Sequence, residues 1–142
     1  MPSLSLLALA TAIGIAESNM DHTSVRKDSD GRIVRGAWQF QKRTWDETQR
    51  YAYGAVLVSW NPYANDPVYA SQIAHWRIGY LIERYWYNTG RQPTPADIAA
   101  MWRLGVTGYK KCGWNIQRVP RSVKLSANKV NKLYNEQLSK PR

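Results

Sequence analysis

Apolar residues recur along most of the chain with helical spacing. Between Leu4 and Ala16 they fill nearly every position, which predicts a helix buried almost all round that ends near Ser18 and Asn19. Further helices are indicated by apolar residues three and four apart. The five predicted helices lie at about residues 4–18, 41–53, 67–89, 95–103 and 126–138.

Residues typical of helix starts and stops mark several of these boundaries. Pro2 and Ser3 are compatible with the first start, Asp66 with Pro67 predicts the third, and Thr94 with Pro95 predicts the fourth. Gly105 is expected to stop the fourth helix. We expect loops at residues 59–66 and a turn-rich basic segment at residues 106–123.

The polar stretch between the first two helices has a different pattern. It contains Asp30-Gly31, a strong turn signal, so residues 22–37 are expected to form a loop or a small hairpin. The chain shows no repeat and no linker-like composition. We therefore expect a mostly α fold of the α+β kind, built as one domain over residues 1–142, with at most a small β element near residues 24–38.

Charge and composition narrow the classes of partner. Twenty Lys and Arg against ten Asp and Glu give a net charge of +10, which favours nucleic acid, acidic membranes or anionic cell-wall polymers. Seven Trp and nine Tyr suit a core, but also a groove that grips flat or hydroxylated ligands. A single cysteine, Cys112, excludes an intrachain disulfide and a CxxC metal site. His22 and His75 are isolated, so we expect no metal and no cofactor.

The apolar stretch Leu4–Ala16 has the length of a signal-peptide core. No basic residue precedes it, since the first one is Arg26, and it is too short to span a bilayer. We therefore interpret it as a helix of the mature domain. The sequence shows no evident signal peptide and no membrane span.

Glu17 is the acidic residue at the end of this apolar helix. Partial burial and the negative end of the helix dipole are both expected to raise its pKa, which suits a general acid that protonates a leaving oxygen. The alternative is a helix-terminal glutamate that points into water.

Three short motifs follow in order: Glu17-Ser18-Asn19, then Arg35-Gly36-Ala37-Trp38-Gln39-Phe40, then the segment AAMWRLGVTGY at 99–109. Together they resemble the lysozyme-like lytic transglycosylase family, over about residues 4–110. The resemblance implies a lysozyme-like fold and an enzyme that cleaves the β-1,4 bond between N-acetylmuramic acid and N-acetylglucosamine in peptidoglycan. It also implies work outside the cytoplasm, on the wall or as a phage-delivered lysin, and we expect a monomer.

The resemblance assigns a role to each matching residue. Glu17 becomes the catalytic acid, and Ser18 fixes the hydrogen bonding beside it. Gln39 lines the cleft and contacts the sugar, while Trp38 packs either against the substrate or under the catalytic helix.

The third motif departs from the family pattern. Trp102 stands where the family has Tyr, and Arg103 where it has Asn. Either the Trp102 indole N–H or the hydroxyl of Tyr109 is then expected to serve Glu17.

The loop before Gln39 also resembles that of invertebrate-type lysozymes, which place an Asp shortly before the Gly-x-x-Gln turn. Asp28 and Asp30 flank that position, and either would act as the second carboxylate of a hydrolase. We favour the mechanism with Glu17 alone, because neither aspartate has unambiguous spacing. The hydrolase stays open as an alternative.

Two interpretations without catalysis compete with this one. A nucleic-acid module would use Tyr85-Trp86-Tyr87 and Tyr109-Lys110-Lys111 as basic and stacking patches. A catalytically silent carbohydrate-binding relative would explain the altered third motif. Because the bacterial wall is itself acidic, peptidoglycan accounts for the charge and we expect no nucleic-acid partner.

Overall fold

The structure is a computed structural model that describes residues 3–140. It is mostly helical, with one small three-stranded sheet, as the sequence predicts. In these residues the helices are α1 (Leu6–Ser18), α2 (Lys42–Tyr53), α3 (Trp60–Tyr63), α4 (Pro67–Thr89), α5 (Pro95–Lys111) and α6 (Arg121–Ser139). The strands are β1 (Val25–Lys27), β2 (Ile33–Arg35) and β3 (Phe40–Gln41).

Two predicted helix starts are confirmed in atomic detail. Asp66 Oδ1 accepts hydrogen bonds from the amides of Val68 and Tyr69 at 2.9 and 3.2 Å at the start of α4. Thr94 and Asp97 form a reciprocal capping box at the start of α5. These caps satisfy amide groups that a helix start otherwise leaves without partners.

The start of α1 differs from the prediction. Ser5, rather than Ser3, caps the helix, since its hydroxyl accepts a hydrogen bond from Ala8 N at 3.1 Å. Pro2 lies outside the described residues. The Ser5 amide in turn donates to the hydroxyl of Tyr134 on α6 at 3.1 Å.

Three other boundaries are corrected by the structure. The expected loop at residues 59–66 contains the short helical turn α3. Helix α5 breaks at Gly105, where φ is 74°, but resumes and continues to Lys111 instead of ending. Helix α6 begins at Arg121, earlier than the apolar spacing indicated.

The small β element forms a meander in the order β1-β2-β3, with antiparallel pairing throughout. The hairpin between β1 and β2 turns at Asp28–Gly31, where Gly31 N donates to Asp28 O at 2.9 Å. The hairpin confirms the prediction, and the third strand lies just beyond the range predicted for it.

The described residues pack into two compact units, while the expectation of a single domain stays a prediction. We call Ile13–Arg77 the central unit, and the residues up to Ala12 together with those from Ile78 onward the terminal unit. Buried apolar residues of the central unit include Ile13, Val34, Trp38, Phe40, Trp45, Ile73 and Ala74. Those of the terminal unit include Leu9, Ile78, Leu81, Ile98, Met101, Tyr109, Ala127, Val130 and Tyr134.

Candidate functional site

The C-terminal end of α1 carries Glu17 and Ser18. Glu17 lies in the last turn of the helix with a half-buried side chain. The chain leaves the helix through Asn19 and Met20, which both adopt left-handed backbone angles with φ of 57° and 60°. Their amides donate to carbonyls of the preceding turns at 2.8 and 3.0 Å. Backbone hydrogen bonds therefore fix the turn that presents Glu17.

The hydroxyl of Ser18 joins this helix end to the turn Gly36–Gln39. Ser18 Oγ donates to Ala37 O at 2.7 Å and accepts from Asp21 N at 2.9 Å. The Glu-Ser and Gly-x-x-Gln motifs thus meet through a direct hydrogen bond inside the central unit.

The glycine and glutamine of that turn each have a structural reason to be there. Gly36 has a φ of 79°, and a Cβ atom at this position would lie 2.0 Å from Ala64 O, so only glycine fits. Gln39 has a φ of 56° and closes the turn, since its side-chain Nε2 and its backbone amide both donate to Gly36 O, at 2.8 and 3.1 Å.

Arg26 on β1 links the helix end, the sheet and Gln39. Its Nη2 donates to Glu17 O at 2.9 Å, and its Nε lies 3.1 Å from Gln39 Oε1 and 3.2 Å from Ser24 Oγ. Gln39 Nε2 also donates to Ser24 Oγ at 2.9 Å. A guanidinium at the C-terminal end of α1 is electrostatically favourable, because this end of the helix dipole is negative. We call Glu17, Ser18, Arg26 and the turn Gly36–Gln39 the helix-end site.

Trp38 is buried beside α1. Its side chain is only 4% exposed, which favours packing under the helix over stacking on a substrate. A Cβ atom on Gly14 would lie 3.2 Å from Trp38 Nε1 and 2.6 Å from Met20 Cε, so the glycine in the middle of α1 allows this close approach. The edge of the His22 ring contacts the Trp38 ring system, with the ring centroids 5.9 Å apart.

Asp28 and Asp30 both lie in the exposed turn between β1 and β2. The side-chain Nε2 of Gln41 donates to both carboxylates, at 2.9 Å to Asp28 and 3.3 Å to Asp30. Asp28 Oδ1 also accepts from Ser29 N at 2.7 Å, and Asp30 Oδ1 from Arg32 N at 3.0 Å. The structure thus brings the two aspartates together, and their hydrogen bonds shape the turn.

Asp21 is a third carboxylate near the end of α1, and sequence reasoning did not single it out. Hydrogen bonds from the Thr23 hydroxyl and then the Thr23 amide lower the pKa of the Asp21 carboxyl below its ordinary value. Because its own amide donates to Ser18 Oγ, Asp21 belongs to the loop that supports the helix end.

The residues of the third motif belong to the terminal unit. Trp102 is half-buried and Arg103 exposed, both just before the break of α5 at Gly105. Tyr109 is fully buried, and its hydroxyl donates to Asp97 Oδ1 at 2.5 Å. A phenol has one hydrogen to donate, and Tyr109 gives it to Asp97, while the expectation that Tyr109 serves Glu17 stays a prediction.

Burial, followed by the hydrogen bond to Asp97, raises the pKa of Tyr109 far above its ordinary value. By its position in the sequence, Asp97 is an acidic residue in the first turn of α5, where the helix dipole favours a negative charge. Its second role, as the acceptor for Tyr109, depends on a contact within the folded terminal unit that has no local pattern.

Within residues 3–140, no group of three or more His, Cys, Asp or Glu side chains is arranged to hold a metal ion. None of the helices in this range has the length and hydrophobicity needed to cross a membrane.

Comparison with protein-family models, with curated proteins and with solved structures finds no match for this chain. Any statement about function therefore depends on the residues and their geometry. The resemblance to lytic transglycosylases stays a prediction at this point.

Proposed function

We propose that this protein cleaves the β-1,4 bond between N-acetylmuramic acid and N-acetylglucosamine in peptidoglycan, outside the cytoplasm, with Glu17 as the catalytic residue. The observation that carries the proposal is the hydrogen bond of 2.7 Å from Ser18 Oγ to Ala37 O. It fastens the glutamate-bearing helix end to the Gly-x-x-Gln turn, so two motifs far apart in the sequence form one structural feature.

The rigidity of the helix-end site supports a catalytic role for Glu17. Non-glycine residues with positive φ are uncommon, and such strain concentrates at functional sites. Gln39 of the site has this conformation, and so do Asn19 and Met20, which directly follow Ser18. A reactive group carried on a fixed backbone reacts faster than one on a mobile segment, because part of its positioning entropy is already lost on folding.

In the reaction that we propose, protonated Glu17 gives its proton to the glycosidic oxygen as the bond from that oxygen to C1 of the muramic acid breaks. The resulting carboxylate then takes the proton of the 6-hydroxyl of the same sugar, and that oxygen bonds to C1. The products are a free 4-hydroxyl on N-acetylglucosamine and a 1,6-anhydro muramic end. Glu17 returns to its protonated form, and no water is consumed.

The environment of Asp28 and Asp30 favours this mechanism over a hydrolysis that uses a second carboxylate. Both side chains are exposed and take part in the hydrogen bonds of their own turn, where Gln41 binds them. Each of their carboxylate oxygens accepts a hydrogen bond within the turn, which supports a role in shaping the turn. In the hydrolytic alternative, one of these aspartates would face the sugar as the nucleophile.

The first test compares Glu17→Gln with Glu136→Gln in an assay of peptidoglycan clearing. Glu136 is a matched control, since it is an exposed glutamate in the last turn of another helix, α6. We expect Glu17→Gln to lose activity by about 10²–10⁴-fold, the usual contribution of a general acid, with an unchanged melting curve. Glu136→Gln should keep full activity. A folded, fully active Glu17→Gln variant would contradict the proposal.

Mass spectrometry of the digestion products separates the two mechanisms. Anhydro ends, lighter than the hydrolytic products by one water, are expected for catalysis by Glu17 alone. Reducing ends that disappear in Asp28→Asn or Asp30→Asn would instead assign a hydrolase. If wild-type protein binds glycan strands but releases no products, the chain is a binding module without catalysis.

A further inference from the structure

A second feature of interest is a pocket in the terminal unit with a volume of about 510 Å³. This volume falls in the range of about 300–1,000 Å³ that is typical of small-molecule sites. None of its lining residues belongs to the helix-end site. The residues on which its chemistry depends are Tyr85, Arg91, Gln92, Asp97, Trp114 and Asn115.

Two aromatic rings form walls of the pocket. Trp114 follows the end of α5 and has a φ of 57°, an uncommon conformation for a residue with a large side chain. Its ring meets those of Tyr85 and Tyr109 edge to face, with centroids 5.7 and 5.8 Å apart. The backbone amide of Trp114 donates to Tyr109 O at 3.2 Å. The indole is therefore held firmly, although it remains partly exposed.

The polar side chains of the pocket fall into two groups. Asp97 is buried and accepts hydrogen bonds from the Thr94 amide, the Thr94 hydroxyl and the Tyr109 hydroxyl. Arg91 and Gln92 are exposed, and within residues 3–140 their side chains make no hydrogen bond or ion pair. The Arg91 guanidinium lies 6.0 Å from the centroid of the Tyr85 ring.

The side-chain amide of Asn115 uses its oxygen in a hydrogen bond within the protein, while its nitrogen does not donate to another described residue. Its Oδ1 accepts from Gln117 N at 2.9 Å, which orients the amide. Its NH₂ group has no acceptor among the described residues. The pocket thus combines fixed aromatic walls with donors and acceptors that await partners from solvent or a ligand.

We propose that this pocket binds one sugar ring of a neutral saccharide, as a site separate from the proposed catalytic residue. A pyranose has an apolar face of C–H groups that packs on an indole ring, and a rim of hydroxyls that both donate and accept. The lining offers both kinds of partner, since the Arg91 guanidinium and the amide NH₂ groups of Gln92 and Asn115 donate and the amide oxygen of Gln92 accepts.

Charge selects a neutral ligand over a polyanion. The pocket holds one guanidinium and one carboxylate, so its formal charges balance, in a chain whose net charge is +10. A phosphate bound at Arg91 would find no second cationic side chain among the residues that line the pocket. A nucleic acid, whose affinity comes mainly from phosphate contacts, is therefore disfavoured at this pocket.

The test is a titration of isotope-labelled wild-type protein with methyl N-acetyl-β-glucosaminide, followed by nuclear magnetic resonance. This probe has one sugar ring and no bond between sugars to cleave, so the outcome does not depend on catalysis. We expect saturable shifts at the Trp114 indole N–H and at the side-chain amides of Gln92 and Asn115. The Glu17→Gln variant should show the same shifts.

Substitutions of residues that line the pocket test whether the sugar binds there. Arg91→Ala and Gln92→Ala are each expected to weaken binding roughly five- to tenfold, the effect of one lost hydrogen bond. Trp114→Ala should abolish binding. The matched controls Arg84→Ala, Gln72→Ala and Trp86→Ala replace exposed residues outside the pocket and should change nothing.

Three outcomes would overturn the proposal. The first is the absence of shifts at the pocket, and the second is binding that survives both Arg91→Ala and Gln92→Ala. The third is a short oligothymidylate that saturates these resonances while the sugar does not. If Trp114→Ala fails to fold, the two variants at exposed side chains still decide, because their melting curves should match the wild type.

Discussion

The helix-end site and the pocket lined by Trp114 both contain a non-glycine residue with positive φ, but their polar side chains are used differently. Within residues 3–140, the non-glycine residues with positive φ are Gln39 in the helix-end site, Asn19 and Met20 directly after its Ser18, and Trp114 in the pocket. In the helix-end site, the side chains of Arg26, Gln39 and Ser18 bind one another or the backbone. In the pocket, Arg91 and Gln92 have no such partners in the described chain.

This difference separates two uses of a strained backbone. Where polar groups bind each other, the fold itself determines the position of a single reactive group, as we propose for Glu17. Where they are left open beside a fixed ring, the hydrogen bonds become available to a ligand. Substitutions of the mutually bonded polar residues Ser18, Arg26 and Gln39 should therefore reduce stability, whereas substitutions of the open side chains Arg91 and Gln92 should reduce binding alone.

The largest effect is expected for Gly36→Ala in the helix-end site. The new Cβ atom would overlap the Ala64 carbonyl, and alanine would have to adopt a left-handed φ. We expect a loss of about 2–5 kcal/mol in the free energy of unfolding. Chemical denaturation measures it, and peptidoglycan clearing should fall even where the variant remains folded.

Gly31→Ala is the matched control for this change. Gly31 also has a positive φ, of 84°, but nothing lies near the position of its Cβ atom. Gly31→Ala should lose only about 1–2 kcal/mol in the free energy of unfolding, the cost of placing alanine at a left-handed φ. Equal losses at the two glycines would show that the close approach at Gly36 contributes nothing to stability.

Tyr109→Phe tests the support behind the pocket. It removes the donor to the buried Asp97 carboxylate, a loss of about 1.5–3 kcal/mol for a hydrogen bond to a charged group. Sugar binding should weaken as well, because Asp97 and Trp114 both contact Tyr109. A variant as stable as the wild type would mean that the remaining bonds from Thr94 suffice for Asp97.

Alkaline pH should show the same hydrogen bond in the wild-type protein. Folding raises the pKa of Tyr109, so the protonated phenol favours the folded state. Its contribution is complete below the ordinary tyrosine pKa of about 10 and is lost as the pH rises above that value. Urea denaturation between about pH 8 and about pH 11 should show a decline that is smaller in Tyr109→Phe. The pKa of Tyr85 is also raised by burial, so Tyr85 accounts for part of the decline that remains in Tyr109→Phe.

Gln39→Ala should have a smaller effect. The glutamine side chain has three partners, namely Gly36 O, Ser24 Oγ and the Arg26 guanidinium. We expect a loss of about 1–2 kcal/mol, because water replaces part of these half-exposed bonds. Thermal and urea denaturation check the value, and an unchanged stability would argue that Gln39 is kept for contact with substrate instead.

Local signals in the sequence were enough to predict much of the fold. The caps at Asp66 and Thr94 and the regular apolar spacing of α2 and α4 are properties of neighbouring residues, and the structure confirms them. The break at Gly105 was also visible in the sequence. The resumption of α5 beyond it was missed, since a glycine signal cannot show whether packing will continue the helix on its far side.

In the candidate sites too, features with a local sequence signal were predicted and features made by folding were missed. Motif order led to the expectation that Glu17, Ser18 and Gln39 belong together, and Ser18 is indeed bound to the Gly36–Gln39 turn. Arg26 was missed because it binds a backbone carbonyl, which imposes no residue type on the partner. Trp114 was missed because its environment is made by Tyr85 and Tyr109, whose contacts with it exist only after folding.

The smallest effect is expected for Gln92→Ala, which repeats the change made at Gln39 in the other region. The Gln92 side chain is exposed and has no hydrogen-bond partner among the described residues, so its loss removes nothing that the folded state holds. Stability should stay within about 0.5 kcal/mol of the wild type, as for most surface substitutions. The same variant should bind the sugar probe less tightly. If Gln92→Ala instead loses as much stability as Gln39→Ala, the amide has a structural role, and the two regions do not differ as we infer.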